Sequence, residues 1–143
     1  MMKRFMLVVI TAALTLAGSL GAQEADQIKV EELAKTTTSW DGRAIPAYPE
    51  GQPQVTVSKV TIPSGLKLQW HKHPVLTAGV VLKGQLTVIT DKDERLHLKA
   101  GESIVEVINK WHHGVNEGDE PTEIIVFYAG VEGQPVTVLK PEQ

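Results

Sequence analysis

The sequence contains no cysteine among its 143 residues. That absence excludes disulfides, thiolate nucleophiles, Cys-ligated zinc, iron–sulfur clusters and a lipid-modified N-terminal Cys. An excess of either charge is lacking too. Fourteen Lys and Arg stand against 17 Asp and Glu, with no basic cluster, which argues against nucleic acid as a partner. No Ser/His/Asp arrangement, phosphate-binding loop or nicotinamide fingerprint is present, and no internal repeat or low-complexity tract. What is present fits one domain. Twelve Gly and eight Pro among many Val, Thr and Ile point to short strands joined by turns rather than a helical bundle.

The first residues read as a targeting segment. Lys3 and Arg4 precede an uncharged, mostly apolar run from Phe5 to Leu20, and Gly21 and Ala22 follow. That order matches a secretory signal peptide cleaved after Ala22. A permanent membrane anchor is the competing reading, but the run is short for a span of roughly 20 residues. Cleavage removes 22 of the 143 residues and two of the 14 positive charges, leaving 121 residues with 12 positive against 17 negative side chains. The mature chain has no second long apolar segment, so a periplasmic or secreted protein off the membrane is expected. About 120 residues bury enough surface for a stable core without disulfides.

Residues 23–53 read as an arm. Its first part, to Lys35, could be a short helix or an extended edge strand. Thr36 to Pro53 is rich in turn formers, with Trp40 and Tyr48 as aromatic pegs against the following body. Residues 54–140 carry a period-two signal. The expected strands are Val55–Ile62, Leu66–His73, Val80–Thr90, Arg95–Leu98, Ser103–Val107, Glu123–Tyr128 and Val136–Leu139. Breaks fall at Pro63-Ser64-Gly65, Lys83-Gly84, Asp91-Lys92-Asp93, Ala100-Gly101 and Glu117-Gly118-Asp119, all turn chemistry. Such spacing predicts an all-β antiparallel sandwich or barrel.

The histidines carry the functional signal. His71 and His73 lie at i and i+2 of one expected strand, so both leave the same face, about 7 Å apart at their Cα atoms. Two such imidazoles can converge on one metal ion. Lys67 and Gln69 share that face, whereas Leu66, Leu68 and Trp70 share the other. Taken alone, His-x-His is weak, because surface pairs of this kind are common.

The wider pattern is stronger. Gly65, five residues, His71-Lys72-His73-Pro74, then Gly79 and Gly84 resembles the first motif of the cupin superfamily. Gly101, five residues, Val107, Asn109, two residues, His112, three residues and Asn116 resembles the second. The chain is identified as a small, single-domain, exported cupin of the type-2 kind. The resemblance implies a double-stranded β-helix, or jelly-roll barrel, with a divalent metal (Fe, Mn, Ni, Zn or Cu) held by His71, His73 and His112. The chain departs from the family twice. Thr77 and Ala78 stand where the first motif has a Glu, and Val107 and Asn109 stand where the second has Pro and Gly. The second change alters a turn. The first leaves the full 2+ charge of a divalent ion on three neutral imidazoles, which favours an anionic or chelating ligand.

Around these ligands, Gln69, Thr77, Glu106, Trp70 and Trp111 are candidates to line the pocket or support the histidines. Glu106 is expected to border the core and meet an imidazole N–H, Lys67 or a rim indole rather than bind the metal. His113 should point away from His112 to the surface, His97 should face solvent, and Asn116 should stabilise a turn. Two functions remain open. One is a metal-dependent enzyme, oxygenase-like or isomerase-like, acting on a small oxygenated molecule; the other is a non-catalytic binder of a metal or small ligand. A second copy of the chain is left open as a partner.

Overall fold

The structure, a computed structural model, describes residues 27–142. The expected signal peptide and the start of the arm lie outside the described residues. The chain divides into two units, Met1–Glu31 and Glu32–Gln143. In the first, the described residues 27–31 are exposed and form neither helix nor strand.

The second unit holds β1 (Pro53–Ile62), β2 (His71–Lys72), β3 (Leu76–Lys83), β4 (Gln85–Thr90), β5 (Arg95–Lys99), β6 (Ser103–Val105), β7 (His112–Val115), β8 (Thr122–Val131) and β9 (Val138–Leu139). They form two antiparallel sheets, ordered β1-β8-β3-β6 and β5-β4-β7-β2-β9. This is the expected all-β double-stranded barrel. Alternating side chains turn inward from both sheets. Ile62, Val81, Ile104 and Ile124 come from the first sheet and meet Leu86, Val88 and Leu98 from the second. Each such side chain contributes about 1.5–3 kcal/mol when taken out of water.

Several expected boundaries move. The stretch Val80–Thr90 is two strands, because Gly84 turns the chain at a φ of 74°. A Cβ there would also meet Thr122 Oγ1 at 2.9 Å. Leu66–His73 is not one strand. Only His71–Lys72 joins a ladder, with isolated bridges at Lys67 and His73. The face assignment for Leu66–Trp70 fails with it, since Leu68 packs against the core while Trp70 turns outward onto His113. Residues 27–35 are neither helix nor strand.

The arm is pinned by Trp40, whose backbone N–H donates to the Val105 carbonyl at 3.0 Å and whose ring packs on the core. Tyr48 is no peg; it is 78% exposed. Asn116 stabilises its turn as expected. Its buried amide donates to the Ile62 and Glu120 carbonyls at 3.0 and 2.8 Å, and its oxygen accepts from Gly118 N–H at 3.0 Å.

Candidate metal centre

β2 and β7 pair so that His71 lies directly opposite His112. His73, two residues on, returns to the same face, and its carbonyl accepts from Asn109 N–H at 2.8 Å. Asn109 takes a left-handed φ of 55° in the turn that leads into β7. Asn tolerates that conformation better than other side chains, so it can stand where the family has Gly.

The three rings make a nearly regular triangle. Their centroids are 5.0 Å apart for His71–His73, 4.5 Å for His71–His112 and 5.0 Å for His73–His112. One ligand atom from each lies within 4.8 Å of the others. Backbone carbonyls fix the tautomers. Nδ1–H of His71 donates to Gln69 O at 2.7 Å, that of His73 to Val136 O at 2.9 Å, and that of His112 to Lys110 O at 2.9 Å. Each Nε2 is thereby left as a bare lone pair facing the common centre. Nε2 of His112 is buried without a hydrogen-bond partner. A buried acceptor with nothing to accept is costly, and a cation satisfies it. The donor set therefore fits a divalent first-row metal.

Burial holds all three imidazoles below their ordinary pKa, with His73 brought down to about 4. They are neutral, as ligation requires. Glu106 sits beside them, its Oε2 3.8 Å from His112 Nε2. Burial raises its carboxyl to about 7, against the opposing pull of Val107 N–H, which donates to Oε2 at 3.2 Å, and of Trp40. Trp40 Nε1 has no partner at full hydrogen-bond geometry, yet it faces that carboxyl closely enough to favour its charged form. The indole near Glu106 is thus that of the arm's Trp40, not the expected rim indole of Trp70 or Trp111, and Lys67 does not pair with it.

The triad opens into a cavity of about 440 Å³ whose wall includes ten aliphatic side chains, among them Val60, Leu68, Val88 and Val126. Glu106, Tyr128 and Thr137 line it beside the histidines. Gln69 lies at its exposed rim.

Three expected pocket candidates lie elsewhere. Thr77 is fully buried, spends its hydroxyl on the Val75 carbonyl at 3.1 Å, and is absent from the cavity wall. Trp70 meets His113 edge-on at 4.2 Å, and Trp111 lies under Lys72 Nζ at 5.0 Å; neither lines the cavity. His113 does point away from His112, but into packing rather than solvent, and is 3% exposed. Trp70 excludes the water that a surface His would meet. His97 is exposed as expected, with Nδ1 2.8 Å from Thr87 Oγ1.

Tyr128 and Thr137 were missed. Tyr128 follows Ile124 and Val126 in the inward period of β8, a signal that could have placed it inside. Its ring centroid is 5.4 Å from that of His73. Thr137 Oγ1 lies 3.2 Å from His73 Nδ1, a contact made across 64 residues with no local sequence mark.

Residues 58–128 match the family Cupin_2, a cupin domain. No curated protein matches the sequence. Among solved structures, the fold is similar to the DMSP lyase DddQ from Ruegeria pomeroyi DSS-3, with 21% identity over 60% of this chain and 43% of that one and a TM-score of 0.53. It is also similar to an oxalate oxidase in complex with the substrate analogue glycolate, with 26% identity over 59% and 45% and a TM-score of 0.50. A protein with a double-stranded β-helix domain from Klebsiella pneumoniae subsp. pneumoniae MGH 78578 aligns over 78% of this chain and all of its own, at 20% identity and a TM-score of 0.52. The chain spans less than half the length of the lyase and the oxidase.

Proposed function

The chain belongs to the cupin superfamily as a type-2 member, and from that premise we propose that it binds one divalent metal ion through His71, His73 and His112 and acts with it on a small oxygenated molecule. The reaction class is oxygenase-like or isomerase-like. The observation that carries this reading is the set of three Nδ1–H bonds to backbone carbonyls, which leaves each Nε2 free as a ligand in a triad whose ligand atoms lie within 4.8 Å of one another. A divalent ion there supplies Lewis acidity, polarising a ligand oxygen without a proton.

The protein's own groups do the rest. The carbonyls of Gln69, Lys110 and Val136 hold the rings in register, so little reorganisation is needed on ligand binding. Glu106 is buried beside the triad, its Oε2 3.8 Å from His112 Nε2, placed to accept a proton from a bound ligand and return it. The oxalate oxidase, solved in complex with the substrate analogue glycolate, lends analogy to a ligand that presents a carboxylate head.

Elemental analysis of the purified protein tests the site. Wild type should hold about one metal per chain, and the double variant His71→Ala/His73→Ala should hold none with its β-rich circular dichroism intact. Unchanged metal affinity in that variant would remove the site. Substrate-dependent turnover by the loaded protein separates an enzyme from a binder, since a stoichiometric metal without turnover supports the non-catalytic reading. Export is part of the same proposal; N-terminal sequencing of periplasmic or secreted protein should begin at Gln23, and a retained Met1 would count against it.

A further inference from the structure

Protein interiors are close-packed, and voids larger than a water molecule are few. An open pocket of about 440 Å³, half of whose lining residues are aliphatic, interrupts that packing at the triad. It falls within the range of about 300–1,000 Å³ typical of sites for small-molecule ligands. Its polar groups are gathered rather than scattered: His71, His73, His112, Glu106, Tyr128 and Thr137 share one region of the wall. Away from Lys67 and Gln69 at the opening, the remaining wall is aliphatic apart from two glycines, and Val60, Ile62, Leu86, Val88, Ile124 and Val126 offer no hydrogen bond to a ligand. At the opening, Leu66 and Leu139 are 46% and 57% exposed beside Lys67 and Gln69.

A ligand that was polar throughout would leave its oxygens unpaired against this wall, at a cost of about 1–3 kcal/mol each. An apolar ligand without a head would leave the metal's charge and Glu106 unanswered. We infer that the ligand is amphiphilic: a single anionic or chelating oxygen head held at the three-histidine end, joined to an aliphatic body of several carbons lying along the valine, leucine and isoleucine wall. The inference rests on the metal reading above and narrows it. Three neutral ligands leave the charge of a 2+ ion only partly answered by the nearby Glu106, which selects an anionic head, and Lys67 at the opening attracts the same charge. The body gains from burial.

The test uses the full mature chain loaded with Zn²⁺, titrated calorimetrically with acetate, butanoate, hexanoate and octanoate, and with oxalate as a head without a body. Affinity should rise about two- to fourfold per methylene until the cavity is filled, and hexanoate should bind more tightly than oxalate. Val126→Phe, and separately Val60→Phe, should keep the zinc and the acetate affinity while losing at least about tenfold for octanoate. Two variants guard against one that does not fold, and zinc content by mass reports on each. Flat affinity along the series, or oxalate as the tightest ligand, overturns the inference and leaves the metal reading standing. Hexanoate binding that is equally tight with and without zinc overturns the placement of the head on the metal. Loss of zinc stoichiometry in wild type, by contrast, is failure of the metal reading itself.

Discussion

A carboxyl in the position of Glu106 is expensive. It is 8% exposed, sits between the buried Ile104 and Val107, and its carboxyl is raised to about 7 by the loss of water. Such a group persists where it answers a nearby charge, and its neighbour is the metal-facing Nε2 of His112. Replacing Glu106 with Gln keeps the shape and removes the charge. Metal should stay on the three histidines with affinity lowered roughly 10–100-fold, read by competition with a chromogenic chelator. Complete loss with the fold intact would make Glu106 a fourth ligand. Asn109 bears a different demand, since its φ of 55° strains any β-branched residue. Asn109→Gly should be nearly neutral in thermal unfolding, whereas Asn109→Val should cost about 1–3 kcal/mol. Melting of the Val variant at the wild-type temperature would mean the turn before β7 is not constrained as described. The three ligands were legible through the resemblance of two motifs to the family's, although His73 lies just beyond the short β2 rather than on one long strand with His71. Glu106 was legible as an anomaly, an acid on an apolar strand. Trp40 was legible as a peg, but its contact with Glu106 was not, because only tertiary packing brings the arm to the metal end.

The segment feeding β7 is held by charge as well as by its turn. Lys110, whose carbonyl orients His112, has a side chain only 5% exposed that pairs with Asp41 at 3.1 Å and with Glu94. The Asp41 side chain is itself 1% exposed and belongs to the arm. Breaking a buried pair by removing one partner is far worse than never having built it. Asp41→Ala leaves Lys110 with Glu94 alone, so the loss should be smaller than for an orphaned charge, about 1–3 kcal/mol in urea unfolding. Metal affinity should fall in parallel, because the carbonyl that orients His112 loses its anchor. A destabilised Asp41→Ala protein with wild-type metal affinity would disconnect the arm from the site. The sequence pattern could not show this tie, nor β7 itself. His112, His113 and Gly114 are all buried, so the strand lacks the polar–apolar alternation that marked β1 and β8. Leu66–Trp70 erred the other way: it alternates convincingly, yet the chain there leaves the ladder to carry Leu68 to the core.

Across the whole molecule the buried titratable groups set how acid and metal act together. Burial holds His73 at about 4, against an ordinary value near 6.5, and lowers His71, His112 and His113 as well. Between those two pH values the unfolded chain binds protons that the folded chain refuses. Stability without metal therefore falls as pH drops from about 6.5 toward 4. Glu106 works in the opposite sense, since its raised carboxyl takes up a proton in the folded state between about 7 and 4.5. One carboxyl opposes four imidazoles, so net destabilisation in acid is expected. Metal binds only the folded triad. At a free concentration 100 times Kd it adds about 2.7 kcal/mol, or roughly 10 °C in Tm. Because the folded imidazoles stay neutral to lower pH than free histidine, that gain should survive at pH 6, below the point where ordinary histidines begin to protonate. It should vanish near pH 4, where His73 takes up its proton and the ligand set is lost. Melting curves at pH 7.5, 6, 5 and 4, each with and without Zn²⁺, separate the two effects. The metal-free Tm should decline through the series while the zinc increment holds to pH 6 and then collapses. A zinc increment already gone at pH 6 would mean that the imidazoles titrate as if exposed. An increment intact at pH 4 would assign the binding to carboxylates instead.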